Sequence, residues 1–371
     1  MNSRSISSVF RCSDFAVRIA GRGISNQQRC FSNTSIRLKH GAVPKFTEVS
    51  SPELQELLTN VREKIFLPTH LSKEQRDLIF MAKYREKLAT DPAKAIIAGE
   101  EFTLKPIDVT KDRPGQWGSL YKALLLMPEA KDWTNLPNLL EGLKTAGFKI
   151  ERDHRFEIVV RKLCQNGQHG ILLECLRRAE ETGLTLTDPL RVIQIFFFMQ
   201  QKAFTSGWDA EDTKKALAWA EMVKELMQEP KHRLLKDSEP VANLFEINGI
   251  LLELAAVRAA KHQDGKDVDG KVEKYARELL ASPRDFEARR DTSLGMNGWL
   301  SWYVPAGHGL KLAQTVLGPS SDLSVALGKV RQVLDPLLLT AKDELAATPT
   351  TSGHPRIGVT MYEKTLGPKA L

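Results

Sequence analysis

A short phrase recurs in this chain, and its spacing limits the fold more than any other feature. Thr145-Ala146-Gly147-Phe148-Lys149-Ile150 returns as Glu181-Thr182-Gly183-Leu184-Thr185-Leu186, with the glycines 36 residues apart. Each copy ends a run of helical periodicity on a glycine, which takes a left-handed cap without a Cβ penalty, and then leaves in an extended step. A unit of that length has room for two helices and their turns. Such a hairpin cannot bury its apolar side alone, so neighbouring hairpins must lean on it.

The rest of the chain after Gly115 reads the same way. Helical periodicity predicts elements at 116–127, 134–146, 154–166, 169–182, 189–204, 210–228, 239–262, 269–281, 284–301, 305–317 and 320–345. Asp188-Pro189, Asp209 and Ser282-Pro283 mark starts, and Gly147, Gly167, Gly183 and Gly318-Pro319 mark stops. No run of strands is present, which excludes a βαβ scaffold. Before Gly115, residues 32–50 are polar and turn-rich and read as a flexible arm. Ser51-Pro52 opens a helix through Phe66, Ser72 to Gln75 forms a capping box before a helix to about Leu88, and Asp91-Pro92 opens a short third helix. Residues 101–108 read as a lone edge strand or an extended arm. The tail from Ala346 has no helical period and reads as a flexible or partner-bound extension. The expected fold is all-α: an α-solenoid-like stack of helical hairpins with extended N- and C-terminal segments. Its expected parts are a targeting segment at 1–31, an N-terminal extension at 32–114, repeats at 115–236, a C-terminal helical region at 237–345 and a tail at 346–371.

The copy at 154–188 carries the most information. Its first helix supplies Phe156, Val159, Val160 and Leu163. Leu163-Cys164-Gln165-Asn166-Gly167 makes the turn, and the second helix supplies Ile171, Leu172, Cys175, Leu176 and Ala179. Gly167 and Gly183 stand 16 residues apart. This unit resembles a pentatricopeptide repeat, with the tetratricopeptide type of helix-hairpin stack as the alternative. The upstream unit, 118–153, follows the pattern in outline only, with Lys131 at the place of the turn glycine; downstream, 189–236 is a longer pair with an insertion near 205–210. The resemblance implies a protein that binds organellar RNA or sits in the mitochondrial ribosome. In the family's RNA readers, a polar residue on the first helix and another at the repeat end select a base. The corresponding positions here are Glu157 and Thr187 or Asp188. An acidic Glu157 would repel phosphates, which speaks against base reading and leaves scaffolding intact.

Charge and composition narrow the compartment. The 371 residues carry a formal charge of +7, and 42% are hydrophobic, the profile of a folded chain. Residues 1–31 hold Arg4, Arg11, Arg18, Arg22 and Arg29 against Asp14 alone, a net +4, so the remaining 340 residues carry only +3. A globally basic nucleic-acid binder is therefore not indicated. The five arginines fall on one arc of a helix in a Ser-rich, acid-poor segment, the composition of a mitochondrial transit peptide. Arg29-Cys30-Phe31-Ser32 resembles a matrix-peptidase site, with cleavage expected after Phe31; this removes Cys12 and Cys30 and leaves Cys164 and Cys175. Four cysteines exclude a disulfide-dense scaffold. The most apolar stretch, 241–260, is interrupted by Glu246, Glu253 and Arg258, so no transmembrane segment is expected.

Several groups invite chemistry. Arg161-Lys162 and Arg177-Arg178 on successive helices, and Lys231, Arg233 and Lys236 in a loop beside His232, are the candidate RNA or partner contacts, because cations neutralise phosphates without strict geometry. Glu174, Glu180 and Glu181 beside the arginines make a solvated mixed face the competing reading. Trp299, Trp302 and Tyr303 read as core of a late helix or a binding platform. Cys164, His169 and Cys175 lack a fourth ligand, so no metal is assigned. Asp264, Asp267 and Asp269-Gly270 fail the calcium-loop register, because its terminal ligands would be Gly265 and Ala276. Ser119-Leu120-Tyr121-Lys122 has acylase spacing without the accompanying motifs, and Gly307-His308-Gly309 lacks the context of a phosphate loop. No catalytic set and no cofactor site are assigned. The expected function is that of a non-enzymatic helical-repeat protein of the mitochondrial matrix, in a large assembly such as the ribosome or another RNA–protein complex, with RNA contact possible. The alternative is a scaffold or assembly factor for a respiratory-chain complex.

Overall fold

The computed structural model describes residues 41–152, 154–233, 241–284, 286, 292–348 and 356–368. The targeting segment with its Phe31 site, Asp153 and Lys236 lie outside the described residues.

The N-terminal part is more ordered than its composition suggests. Residues 41–50 run extended and dock: Val43 is buried, Thr47 N donates to Asn135 Oδ1 at 2.7 Å, and Asp132 accepts from Ser50 N and Oγ. Their backbone groups find partners in the side chains of Asp132, Asn135 and Asn138, so the expectation of a flexible arm does not hold here. α1 (Pro52–Val61), capped by Ser51, runs through a π turn (Arg62–Phe66) into α2 (Leu67–His70). The Ser72–Gln75 capping box opens α3 (Lys73–Phe80), but the helix expected to reach Leu88 breaks at Met81. A 3₁₀ turn (Ala82–Tyr84) and α4 (Arg85–Thr90) follow. The helix expected at Asp91-Pro92 is instead an antiparallel hairpin, β1 (Lys94–Ile97) with β2 (Glu100–Thr103). Ala98 and Gly99 take φ of 49° and 83°, both left-handed, which is the two-residue turn that matches strand twist.

The helical stack begins with α5 (Gln116–Leu125), α6 (Ala130–Trp133) and α7 (Leu136–Thr145). α5 packs on α1, and α7 packs on the π turn, where an added Cβ at Gly142 would lie 2.3 Å from the Phe66 ring. The first unit thus leans on the N-terminal helices. Four side-by-side hairpins follow. α8 (Arg155–Gln165) pairs with α9 (His169–Arg177) and α10 (Ala179–Thr182). α11 (Pro189–Thr205) pairs with α12 (Ala210–Leu226), and α13 (Phe245–His262) pairs with α14 (Lys271–Ala281). α15 (Ser293–Leu317) pairs with α16 (Asp322–Ala347). The first helices contact in series, α8 on α11 on α13 on α15, while α9 meets α12 and α14 meets α16. This is the stack that the recurrent phrase predicts.

Local chemistry explains the joints. Gly147, Gly167 and Gly183 have φ of 84°, 71° and 82°, the left-handed caps expected of them. Asp188 accepts from Arg191 N and Asp209 from Glu211 N and Asp212 N, so each caps the helix it precedes. Phe156, Val159, Val160, Leu163, Leu172, Cys175 and Leu176 are all buried, and each large apolar side chain among them contributes about 1.5–3 kcal/mol on transfer from water.

Two departures lie at the C-terminal end. The helices expected at 284–301 and 305–317 are replaced by the single α15, which runs through Pro305. Proline leaves the Ser301 carbonyl without its helical donor, a cost of about 3 kcal/mol in an exposed helix. Here Pro305 is buried, as are Val304 and Ala306 beside it, in a helix that packs along α13, and that packing offsets the lost bond. The tail expected to be flexible contains α17 (Ile357–Thr365), whose Met361 is fully buried. α17 lies against α15 and α16: Asn297 Oδ1 accepts from Gly358 N, and the Lys364 ammonium sits over the Phe204 ring of α11. Nine residues were too few for their periodicity to stand out.

Candidate RNA and partner interface

The predicted cations occupy two separate places. α8 runs toward the Gly167 turn and α9 away from it. Arg177 lies eight residues into α9, about 12 Å along its axis at 1.5 Å per residue, whereas Arg161 and Lys162 stand next to the turn. The four residues therefore form no single patch. Arg161 is exposed and Lys162 half-buried.

At the far end, much of the positive charge is already matched. Arg178 bridges Glu141 and Glu181, both at 2.5 Å, and donates to Asn138 Oδ1. Burial pushes the Glu141 carboxyl up, and the Arg178 guanidinium opposes that shift. Lys231 pairs with Glu229 at 2.7 Å and donates to the Arg177 carbonyl. The Lys231 ammonium holds the Glu229 carboxyl below its usual range. Arg177 and Arg233 stay exposed beside this joint. His232 anchors it. Leu186 N donates to His232 Nδ1 at 3.1 Å, so the proton sits on Nε2, which donates to the Leu176 carbonyl at 3.0 Å. Burial depresses its pKa.

The base-selecting positions of the resemblance are spent internally. Glu157 pairs with Arg191 at 3.6 Å, Asp188 caps α11, and the Thr187 hydroxyl meets that of Thr185 at 3.2 Å. Neither Glu157 nor Asp188 is available to read a base.

The remaining candidates resolve into structural parts. Cys164 and Cys175 are buried free thiols, and burial raises both pKa values, which makes them poor nucleophiles. The His169 ring stacks on Trp219 at 4.6 Å, and its pKa is lowered chiefly by burial. Asp267 accepts from Val272 N and Glu273 N at the start of α14, and Asp269 pairs with Arg258. Ser119 is buried, while Lys122 is drawn to Glu53. Trp299 stacks on Tyr303 at 4.8 Å in the core, with Trp302 half-buried.

Two arrangements escaped the reading of the sequence. The first is a buried polar node joining three first helices. Glu253 of α13 accepts from Gln200 of α11 at 2.9 Å and meets His308 Nδ1 of α15 at 2.7 Å. All three are nearly inaccessible, and burial pushes the Glu253 carboxyl up. Its setting is a close approach of helices. An added Cβ at Gly309 would lie 2.7 Å from Glu253 N, and one at Gly249 would lie 2.5 Å from Ala306 Cβ. Gly307-His308-Gly309 is thus a packing motif. The second is a cleft where the start of α5 faces the α7–α8 connection, lined in part by Trp117, Phe148, Lys149, Arg152 and Arg155. The sequence signal was the run of Lys149, Arg152 and Arg155 after Gly147, obscured by the Glu151 and Asp153 between them.

Sequence comparison gives this scaffold relatives. A family model described as mitochondrial ribosomal protein mS27 matches residues 29–364. The chain belongs to the mS27 family. A curated relative, the small ribosomal subunit protein mS27 of Neurospora crassa, is 33% identical over 234 residues, which make up 61% of this chain and 59% of that protein. The chain thus aligns with less than two thirds of that relative's length. The mS27 match spans the N-terminal helices, every hairpin and most of α17.

Proposed function

We propose that this chain is a non-enzymatic structural component of the small subunit of the mitochondrial ribosome, acting in the mitochondrial matrix. The observation that carries the reading is the mS27 family match over 29–364, together with the Neurospora crassa relative. The composition of residues 1–31 supports import, and the match begins close to the expected cleavage after Phe31. Among the described residues, no helix is long and apolar enough to cross a membrane. Extended hairpin stacks expose long surfaces, which suits a part held among many neighbours.

A finer reading concerns the repeat type. The unit at 154–188 is a pentatricopeptide-like repeat that has lost its base-reading pair and keeps the scaffold. Its support is the paired caps at Gly167 and Gly183 and the serial packing of α8 on α11. The cations Arg161, Lys162, Arg177 and Arg233 are its candidate contacts to RNA or neighbouring proteins, and Arg178 and Lys231 hold the joint between repeats.

Affinity purification of a tagged chain from isolated mitochondria tests the main reading. Small-subunit proteins and small-subunit RNA should be recovered together, and nuclease treatment should reduce the yield. Recovery of respiratory-complex subunits without RNA would replace this reading with the assembly-factor one.

A further inference from the structure

We propose that the cleft between the start of α5 and the α7–α8 connection binds a single-stranded segment of RNA, holding its phosphates with Lys149 and Arg152 and a base against the Trp117–Tyr121 face. This rests on the ribosomal reading for the source of the RNA, and it assigns a site that neither the repeat pattern nor the predicted cations indicated.

Lys149 and Arg152 are exposed, and neither enters an ion pair among the described residues. This sets them apart from Arg178 and Lys231, whose carboxylate partners are at hand. Among the described residues, no carboxylate lines the cleft. Glu151, between the two cations, turns its Oε1 toward Gly183 instead, and its carbonyl accepts from Arg191. Two exposed cations, Lys149 and Arg152, facing one cleft attract a polyanion, and that attraction is sequence-independent.

The Arg155 guanidinium lies between two rings, 5.8 Å from the Trp117 centroid and 5.2 Å from that of Phe148. Stacking of this kind fixes the guanidinium plane at the wall of the cleft. Trp117 continues into Tyr121, one turn along α5, at 5.8 Å with an interplanar angle of 37°, and Tyr121 is 39% exposed. An added Cβ at Gly115, Gly118 or Gly147 would meet nothing within 4 Å, so the rim is open to an incoming backbone. Single-stranded RNA offers phosphates and unstacked bases together, and aromatic side chains take such bases with little regard to sequence. A duplex keeps its bases inside the stack, and an acidic peptide has no flat group to place on the aromatic face.

The test uses the full chain and a fluorescent single-stranded RNA of about a dozen uridines, a length that one such groove covers. Anisotropy titrations should show the double variant Lys149→Glu/Arg152→Glu binding about tenfold or more weakly than wild type. Its salt dependence should be shallower by about 1.4 in log–log slope, the loss of two phosphate contacts on a single strand. Lys214→Glu/Lys215→Glu on α12, an equal change of charge at two exposed lysines elsewhere, should stay within about twofold of wild type. Both pairs are on the surface, and unchanged melting curves verify folding. Equal weakening by both variants, or wild-type binding by Lys149→Glu/Arg152→Glu, overturns the proposal. So does displacement of the RNA by polyglutamate as effectively as by unlabelled RNA, which would mark the cleft as a protein-docking site. Failure here, with the wild-type chain still sedimenting with the small subunit, removes the cleft and leaves the ribosomal reading standing.

Discussion

The α8/α9 hairpin and the α13/α15 pair keep their polar groups in opposite places. In the first, the interior is apolar apart from His169, and the charged side chains stand at the surface or bridge to the next unit. In the second, the helices approach until only Gly249, Ala306 and Gly309 fit between them, and a carboxylate, an imidazole and an amide are sealed inside. The difference separates two tasks. A regular repeat needs only apolar volume and caps, so its surface is left for partners. The longer C-terminal hairpins gain a directional constraint from the buried node, because Glu253 has hydrogen-bonding partners in one register only. A half-satisfied node costs more than an apolar core, so its three members must stay together.

Breaking the node should give the largest effect. Glu253→Ala leaves His308 and Gln200 without their partner and should cost about 3–5 kcal/mol in chemical denaturation; a loss below about 1 kcal/mol would show that the node is dispensable. Gly309→Ala comes next. The new methyl would strike the Glu253 backbone, which cannot swing aside as a side chain can, and the cost should be about 1–3 kcal/mol. The same substitution at Gly170, where a Cβ meets nothing within 4 Å, is the control.

The repeat side of the comparison is sharpened by pH. Burial lowers the pKa of both His232 and His169 below the ordinary 6.5. Below that value the unfolded chain takes up protons that the folded chain refuses, so stability falls as pH drops from 6.5 toward the depressed values. Each histidine contributes at most about 1.4 kcal/mol per pH unit. Melting curves at pH 7.5 and 5.5 should therefore diverge for wild type and less so for His232→Asn; greater stability at the lower pH would contradict the assignment. The smallest effect belongs to the exposed surface. Arg161→Ala should change stability by no more than about 0.5 kcal/mol, because its side chain makes no ion pair among the described residues.

What the sequence made legible follows the same division. The repeat could be read because glycine and aspartate act locally: Gly167 and Gly183 end helices, and Asp188 and Asp209 begin them, whatever surrounds them. Elements whose identity depends on distant partners were misread. Ala98-Gly99 makes a hairpin whose Glu100 is gripped by Arg62 of the π turn, but Lys, Ala and Glu nearby favour a helix on propensity. Pro305 was taken for a boundary because the packing that retains it lies in other segments. α17 is set by its docking on α15, α16 and α11. The candidate site was legible only in part. Charge could be counted residue by residue, but pairing could not, and pairing separates Arg178 and Lys231 from Lys149 and Arg152.

The central claim, that this hairpin stack is a built-in part of the small mitochondrial ribosomal subunit, is tested most directly by sedimentation. Mitochondrial lysate from cells carrying a tagged chain is run on a sucrose gradient at moderate salt. The tag should travel with the small subunit and shift when that subunit is dissociated. A tag confined to the top of the gradient, as a free monomer beside intact subunits, would contradict it.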